Sequence, residues 1–309
     1  MILCIGTTPA VQRVMIFRKL TVDAVNRAAT TLDGAAGKSI NVAKVLKELG
    51  KAPLATGFLG GDRGDFLRTA LQSQGIESDF VAVTARTRQC VTVIDQSAAT
   101  ITELVEESSP VAAADYELLT AIIRRRMPGC RAVVMSGTIT PGGPVDLYRR
   151  CVQWAREAGA LPVVDAQGPP LIEALGAGPG LVKPNHAELA ATVGRELTDE
   201  NSLIEAMQDL CQRGAQRAVV TAGAKPALAL ESGKLWRICS PLVAVCNPIG
   251  SGDAFTAGLV WRLLRGDDLG EACRWGAAAG AANALTPLAG QLQYQDVQRL
   301  ASQVKIERL

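Results

Sequence analysis

Residues 40–58 read INVAKVLKELGKAPLATGF, and two periodicities meet within them. Ile40, Ala43, Leu46 and Leu49 recur every third residue and so share one face of a helix. Gly50 follows, where a left-handed C-cap is wanted. Leu54–Phe58 is then an apolar run of strand length. The same alternation extends in both directions. Ile2–Ile5 precedes it and Phe66–Leu71 follows. Later come Ala132–Met135, a helical Val145–Ala158, Leu161–Val164, a helical Ser202–Cys211 and Ala218–Thr221. Gly75 and Gly159 each fall just past a helical pattern, as Gly50 does. Strands separated by helices predict an α/β fold around a mostly parallel sheet.

Two places break the alternation. Val11–Phe17 with Ala28–Leu32, and Gln89–Asp95 with Thr100–Val105, read as strands with no helix between them. They predict a small second sheet, a β-lid built from about 11–35 and 87–107 and inserted into one domain spanning 1–309. Ala254–Leu264 and Leu269–Leu285 are helical and rich in Ala and Gly, which suits close packing on the main sheet.

The 309 residues are 48% hydrophobic, enough for a sizeable core. A formal charge of +2 from 32 basic and 30 acidic residues argues against nucleic acid or anionic lipid as partner. The one basic cluster, Arg124-Arg125-Arg126, is expected to be a solvated helix C-terminus. Eight cysteines without a C-x-x-C pair fit free thiols in a reducing compartment, and with no leader-like start or bilayer-length apolar segment in its residues the chain is expected in the cytoplasm. His186 is the sole histidine, which excludes multi-histidine metal sites and disfavours a serine triad. Phosphoryl transfer, which runs on positioning and electrostatics, remains open.

Asn247-Pro248-Ile249-Gly250-Ser251-Gly252-Asp253 leads directly into the helical segment Ala254–Leu264. Its glycines let backbone approach an anion closely, and the free N–H groups of the helix start favour negative charge. Asp253 beside such an anion hole is a candidate general base; the alternative is a Gly-rich turn with an ordinary first-turn acid. Lys183-Pro184-Asn185-His186-Ala187-Glu188 offers Asn185 and Glu188 on one helical face, either to orient Mg²⁺ and its waters or as a capping box. Gly34-Ala35-Ala36-Gly37-Lys38-Ser39 imitates a phosphate-binding P-loop, but Leu32 occupies the required first glycine position. It reads as a Gly-rich helix start bringing Lys38 and Asn41 towards a ligand. Gly60-Gly61-Asp62-Arg63-Gly64 lacks dinucleotide spacing, so a nicotinamide oxidoreductase is disfavoured. Arg88 opens a lid strand and is either a phosphate ligand or an exposed edge arginine.

Together these motifs resemble the PfkB family of ribokinase-like sugar kinases, within it the branch of tagatose-6-phosphate and fructose-1-phosphate kinases. The resemblance rests on Thr8-Pro9-Ala10, Val25-Asn26-Arg27, Gly37-Lys38 with Asn41-Val42, Thr87-Arg88 and Thr102-Glu103-Leu104, then on Ser136-Gly137-Thr138 with Pro141-Gly142, Lys183-Pro184-Asn185 with Glu188, and Asn247-Pro248 with Gly250–Asp253. It implies a three-layer sandwich with a β-lid that covers the sugar and pairs two subunits into a homodimer, and a kinase that uses ATP and Mg²⁺. Asp253 would be the base, with Gly250, Ser251 and Gly252 holding the transferred group. Asn185, Thr221 and Gly223 would serve the nucleotide. Glu188, Asn185 through water, and Asp165 would lie at the metal. Gln12, Arg27, Gly37, Lys38, Asn41, Arg88 and Thr138 would bind the sugar phosphate. The chain departs from the branch on the sugar side: Thr8 stands for the usual asparagine, Gln12 for the aspartate that grips sugar hydroxyls, and Ala36-Gly37-Lys38-Ser39 for Gly-Gly-Lys-Gly. The other reading on this fold is a catalytically quiet sugar-phosphate sensor, against which the intact Asp253 motif argues.

Overall fold

The computed structural model describes residues 1–309. In chain order it opens with β1 (Ile2–Gly6), β2 (Ala10–Phe17), β3 (Thr30–Ala36), α1 (Lys38–Glu48), β4 (Pro53–Leu59), α2 (Gly61–Ser73) and the short β5 (Glu77–Ser78) and β6 (Val81–Ala82). Next come β7 (Arg88–Asp95), β8 (Thr100–Val105), α3 (Ala113–Arg126), β9 (Ala132–Ser136), α4 (Leu147–Glu157), β10 (Leu161–Asp165), α5 (Gly168–Leu175) and β11 (Leu181–Val182). The chain ends with α6 (His186–Val193), α7 (Glu200–Gln212), β12 (Arg217–Ala222), β13 (Lys225–Glu231), β14 (Lys234–Cys239), α8 (Ser251–Leu263), α9 (Leu269–Asn283), α10 (Tyr294–Ala301) and β15 (Lys305–Arg308).

The main sheet runs β15-β14-β13-β12-β11-β10-β9-β1-β4-β5, with β6 also on β4. It is parallel from β12 to β5 and antiparallel where β13, β14 and β15 extend one edge. Its central strands are apolar on both faces, as a sheet covered on both sides requires. The two-residue pleat deals their side chains into separate cores. Ile2 and Cys4 of β1 join one core with α1, α8 and α9, whereas Leu3 and Ile5 join the other with α3, α4 and α7. Val163 and Val164 of β10 divide the same way. The result is helix, sheet and helix in three layers. No helix is long and apolar enough to cross a membrane, and all eight cysteines are unpaired.

The second sheet has the order β3-β2-β7-β8. Its β2 pairs antiparallel with β3 and parallel with β7. The expected strand at Ala28–Leu32 lies further on, at Thr30–Ala36. Gly34, Ala35 and Ala36 therefore belong to β3 and not to a helix start; the helix begins after Gly37, whose φ of 106° turns the chain. A Cβ there would stand 2.8 Å from the Cα of Pro9, so only glycine fits. Gly50, Gly75 and Gly159 do adopt positive φ past α1, α2 and α4. The arginine cluster ends α3 as expected but is not simply solvated: Arg125 and Arg126 pair with Asp79, Arg126 also with Glu77, and Arg124 lies 5.7 Å from the Trp154 ring centre. They tie α3 to the β5–β6 edge. The antiparallel β13 and β14 were not legible as sheet strands, because their hairpin is set by the edge they join.

Candidate active site

Three helix starts converge beyond the carboxyl ends of β10 and β11. Each is positioned locally. Asn247 Oδ1 accepts from the N–H of Ile249 at 3.0 Å, and Gly250 caps α8 with φ 84°. A Cβ at Gly250 would lie 2.8 Å from the Cβ of Ala289, so the loop is packed as well as turned. Asn185 caps α6 in a reciprocal box: its Oδ1 accepts from the Glu188 N–H at 2.9 Å, while Glu188 Oε2 accepts from the Asn185 N–H at 2.8 Å. Gly37 caps α1, placing Lys38 and, three residues on, Asn41 on one face. The unpaired N–H groups and the dipoles of three helix starts make this corner favourable for anions.

Charged side chains join the three starts. Lys38 Nζ donates to Glu188 Oε1 at 2.6 Å and to Asp165 Oδ1 at 3.1 Å. Asp165, at the end of β10 and fully buried, receives Lys183 Nζ at 3.1 Å and the Thr256 hydroxyl at 2.8 Å on its other oxygen. Asn41 Nδ2 donates to Asp253 Oδ2 at 2.7 Å, and Asn41 Oδ1 is a buried acceptor with no partner. Burial tends to raise the pKa of Asp165, but the ammonium groups of Lys183 and Lys38 and its hydrogen bonds hold it at about 2. Asp253 is pushed the other way, to about 7, first by burial and then by the negative charge of Asp165. Lys38 is held above its ordinary value: burial opposes its charge, and Asp165, Glu188 and Asp253 outweigh that. One carboxylate is thus fixed as an anion while its neighbour is poised to exchange a proton near neutrality.

Beside Gly252 opens a cavity of about 860 Å³, walled by Thr221 and Gly223 at the β12–β13 turn, Asn185, Ser251, Phe255 and the 240–248 loop. That volume suits a ligand of nucleotide size.

The structure brings Asn185, Thr221, Gly223, Ser251 and Gly252 to this cavity, and Lys38, Asn41, Asp165, Glu188 and Asp253 into the bonded network. Arg88 opens β7 of the second sheet, with Nε and Nη2 donating to the Thr8 carbonyl at 3.3 and 3.2 Å. The exposed Thr138 accepts the Thr7 hydroxyl on its carbonyl at 2.8 Å. Arg27 is exposed on the loop between β2 and β3 and joins none of these groups.

Two expectations change. Asp165 does not stand open towards a metal, because both its oxygens are taken by ammonium groups and a hydroxyl. Gln12 does not face the cleft: it is buried, Nε2 donating to the Thr92 hydroxyl at 3.1 Å and Oε1 accepting from the Ala289 N–H at 2.9 Å. His186 packs with Nε2 2.9 Å from the Leu197 carbonyl, a structural role. Sequence reasoning assigned nothing to Lys183, Thr256 or Lys44. Lys183 was legible as the head of the Lys183-Pro184-Asn185 motif, closing the apolar pair Leu181-Val182, but without a role of its own.

Comparison with known proteins agrees with this architecture. Residues 1–293 match the pfkB family carbohydrate kinase profile. Phosphofructokinase-2 of Escherichia coli, solved with substrates and products, superposes with a TM-score of 0.89 at 27% identity over 98% of both chains. A Thermotoga maritima protein described as a possible 1-phosphofructokinase superposes at 0.91 with 25% identity, over 100% of this chain and 99% of that one. Ribokinase of Arabidopsis thaliana, at 18% identity, TM-score 0.75 and 97% and 98% coverage, shares the fold. A whole-length family match, a ribokinase-like three-layer fold and an anion-binding corner beside a nucleotide-sized cavity lead to one conclusion: this chain belongs to the pfkB family of carbohydrate kinases and is a phosphotransferase acting on a sugar or sugar phosphate.

Proposed function

We propose that the protein transfers the γ-phosphoryl group of ATP to a hydroxyl of a hexose phosphate of the tagatose-6-phosphate, fructose-1-phosphate or fructose-6-phosphate type, with Asp253 as base. The observation that carries this reading is the placement of Asp253: in the first turn of α8, directly after Ser251 and Gly252 of the cavity wall, bonded to Asn41 and pushed up by burial to about 7. A carboxylate poised near neutrality takes a hydroxyl proton efficiently. The E. coli neighbour has been solved with fructose-6-phosphate, and the shared fold supports a sugar of that class here.

In this reading ATP fills the 860 Å³ cavity against Thr221 and Gly223. The backbone N–H groups at Gly250, Ser251 and Gly252 face the transferring phosphoryl group, with Lys38 and Lys183 as the nearest cations. Asn41 orients Asp253 through its amide nitrogen and offers its free oxygen to a sugar hydroxyl. Arg88, Gly37 and Thr138 would bind the sugar phosphate, and Arg27, exposed on the loop between β2 and β3, would reach it only if that loop moves in. No three acidic, histidine or cysteine side chains cluster as a metal cage. Mg²⁺ uses one or two carboxylates plus phosphate oxygens and waters. Glu188 and Asn185 would hold it through water, since one Glu188 oxygen takes the Lys38 ammonium and the other caps α6, and it would supply charge neutralisation of the phosphates. Unpaired cysteines suit a reducing, cytoplasmic setting. Pairing of two lids into a homodimer accords with the exposed Leu104 and Val105 on β8. The test is a panel of free and phosphorylated ketohexoses with MgATP, assayed for ADP release. Turnover of a hexose phosphate is expected; binding without turnover of any sugar would leave only a sensor.

A further inference from the structure

The peptide of Ala289 is held from two sides by groups outside the catalytic network. Its N–H donates to Gln12 Oε1 on lid strand β2. Its carbonyl accepts from Lys44 Nζ on α1, and the same ammonium donates to the carbonyl of Ala35 on lid strand β3 at 3.0 Å. Lys44 has no carboxylate partner, so its charge is balanced only by carbonyl dipoles, and burial lowers it to about 8. Gln12 is fastened at its other end to Thr92 on β7. On its far side the same loop meets the anion hole. The Ala289 side chain packs on Gly250, the Gly290 N–H donates to Asn283 Oδ1 at 2.8 Å, and Asn283 Nδ2 donates to the Ile249 carbonyl at 2.9 Å. Asn247 Nδ2 donates to the Pro287 carbonyl at 2.7 Å.

Nothing in a sugar-hydroxyl role for residue 12 requires Lys44, and nothing in core packing requires a carbonyl-bound ammonium without a counter-charge. We infer that Gln12 and Lys44 are positioning residues: they couple three lid strands to the 286–290 loop, so that the set of the lid and the shape of the Gly250–Gly252 anion hole change together. The inference deepens the kinase reading above and rests on it for the identity of the hole's ligand. Gln12 donates to Thr92 and accepts from Ala289 without burying a charge; a carboxylate there could still accept from the Ala289 N–H and from the Thr92 hydroxyl.

The test uses the full-length protein, MgATP's non-hydrolysable β,γ-imido analogue as probe, and amide hydrogen exchange of segments 10–17, 30–36 and 284–292. In wild type the nucleotide should slow exchange not only at 284–292 but also in the two lid segments, by about fivefold or more, because the links carry the effect across. Lys44→Met and Gln12→Leu should lose the lid response while still binding the nucleotide, and Gln12→Glu, which keeps an acceptor for Ala289, should restore most of it. With the sugar that wild type turns over, Lys44→Met should lower kcat about tenfold with KM for both substrates changed less than about threefold. A lid response that persists in Lys44→Met and Gln12→Leu, or is absent in wild type that binds the nucleotide, overturns the inference. Failure of wild type to bind the nucleotide overturns the kinase reading instead. Should Lys44→Met not fold, Gln12→Leu and Gln12→Glu decide the matter by the same exchange measurement.

Discussion

The anion-hole end and the lid end are built on different principles. Around Gly250 the turn itself is made by local bonds, Ile249 to Asn247, Ser251 to Pro248 and Ala254 to Gly250, and the 283–290 segment braces it from outside. Asn185 and Glu188 cap each other within four positions. The lid is assembled from distant pieces. Gln12 reaches Thr92, 80 residues away, and Ala289, 277 away. A local motif keeps its geometry wherever the fold places it, whereas a residue in a non-local sheet takes its role from whatever the fold sets opposite. Hence the Gly250–Asp253 motif can be read from a few consecutive residues, while the role of a residue such as Gln12 depends on what the fold sets against it.

The sharpest way to break this comparison is Asp253→Asn. If the local motif carries the chemistry, kcat falls by roughly two to four powers of ten with nucleotide affinity largely retained; near-wild-type kcat would reduce Asp253 to a helix-start residue. Second in size is Lys183→Met. Lys183 and Asp165 are both almost wholly buried, at 3% and 1% side-chain exposure, and removing one partner of such a pair costs about 3 kcal/mol. Chemical denaturation measures it, and a loss below about 1 kcal/mol would show that Lys38 alone balances Asp165. At the lid end, Arg88→Ala should raise KM for the sugar phosphate by an amount equivalent to about 1.5–3 kcal/mol and leave KM for ATP unchanged. Equal effects on both would move Arg88 out of the sugar side.

The smallest effect is in pH. Asp253 must be ionised to accept a proton, so kcat/KM should climb with pH and level off above about 7; a plateau already reached near the ordinary carboxylate range would refute the poised base. The linked stability has the opposite sense. With its pKa raised in the folded protein, Asp253 binds more protons folded than unfolded between its ordinary 3.8 and about 7. Its contribution to stability is complete below that window and lost as pH rises through it, and the difference should vanish in Asp253→Asn. Asp165 behaves in reverse, its stabilisation being present above 3.8 and lost as pH falls through about 2.

The sequence alone determined the α/β alternation, the presence of helices following Gly37, Asn185 and the Gly250–Asp253 motif, and the candidacy of Asp253. Each of these depends on periodicity or on contacts within a turn or two, which order along the chain preserves. The capping box at Asn185 was legible for the same reason, and the structure shows that Glu188 can cap its helix with one oxygen and hold Lys38 with the other. Only the tertiary structure decided where the buried charges pair and which way Gln12 points. Asp165, Lys183 and Lys38 come from three separate elements, and their pKa values follow from distances and burial that exist only once the sheet and helices close around them. Lys44 reads as an ordinary helix lysine until the fold sets the carbonyls of Ala35 and Ala289 around its ammonium, because a side chain's role inside a protein is fixed by partners brought from far along the chain.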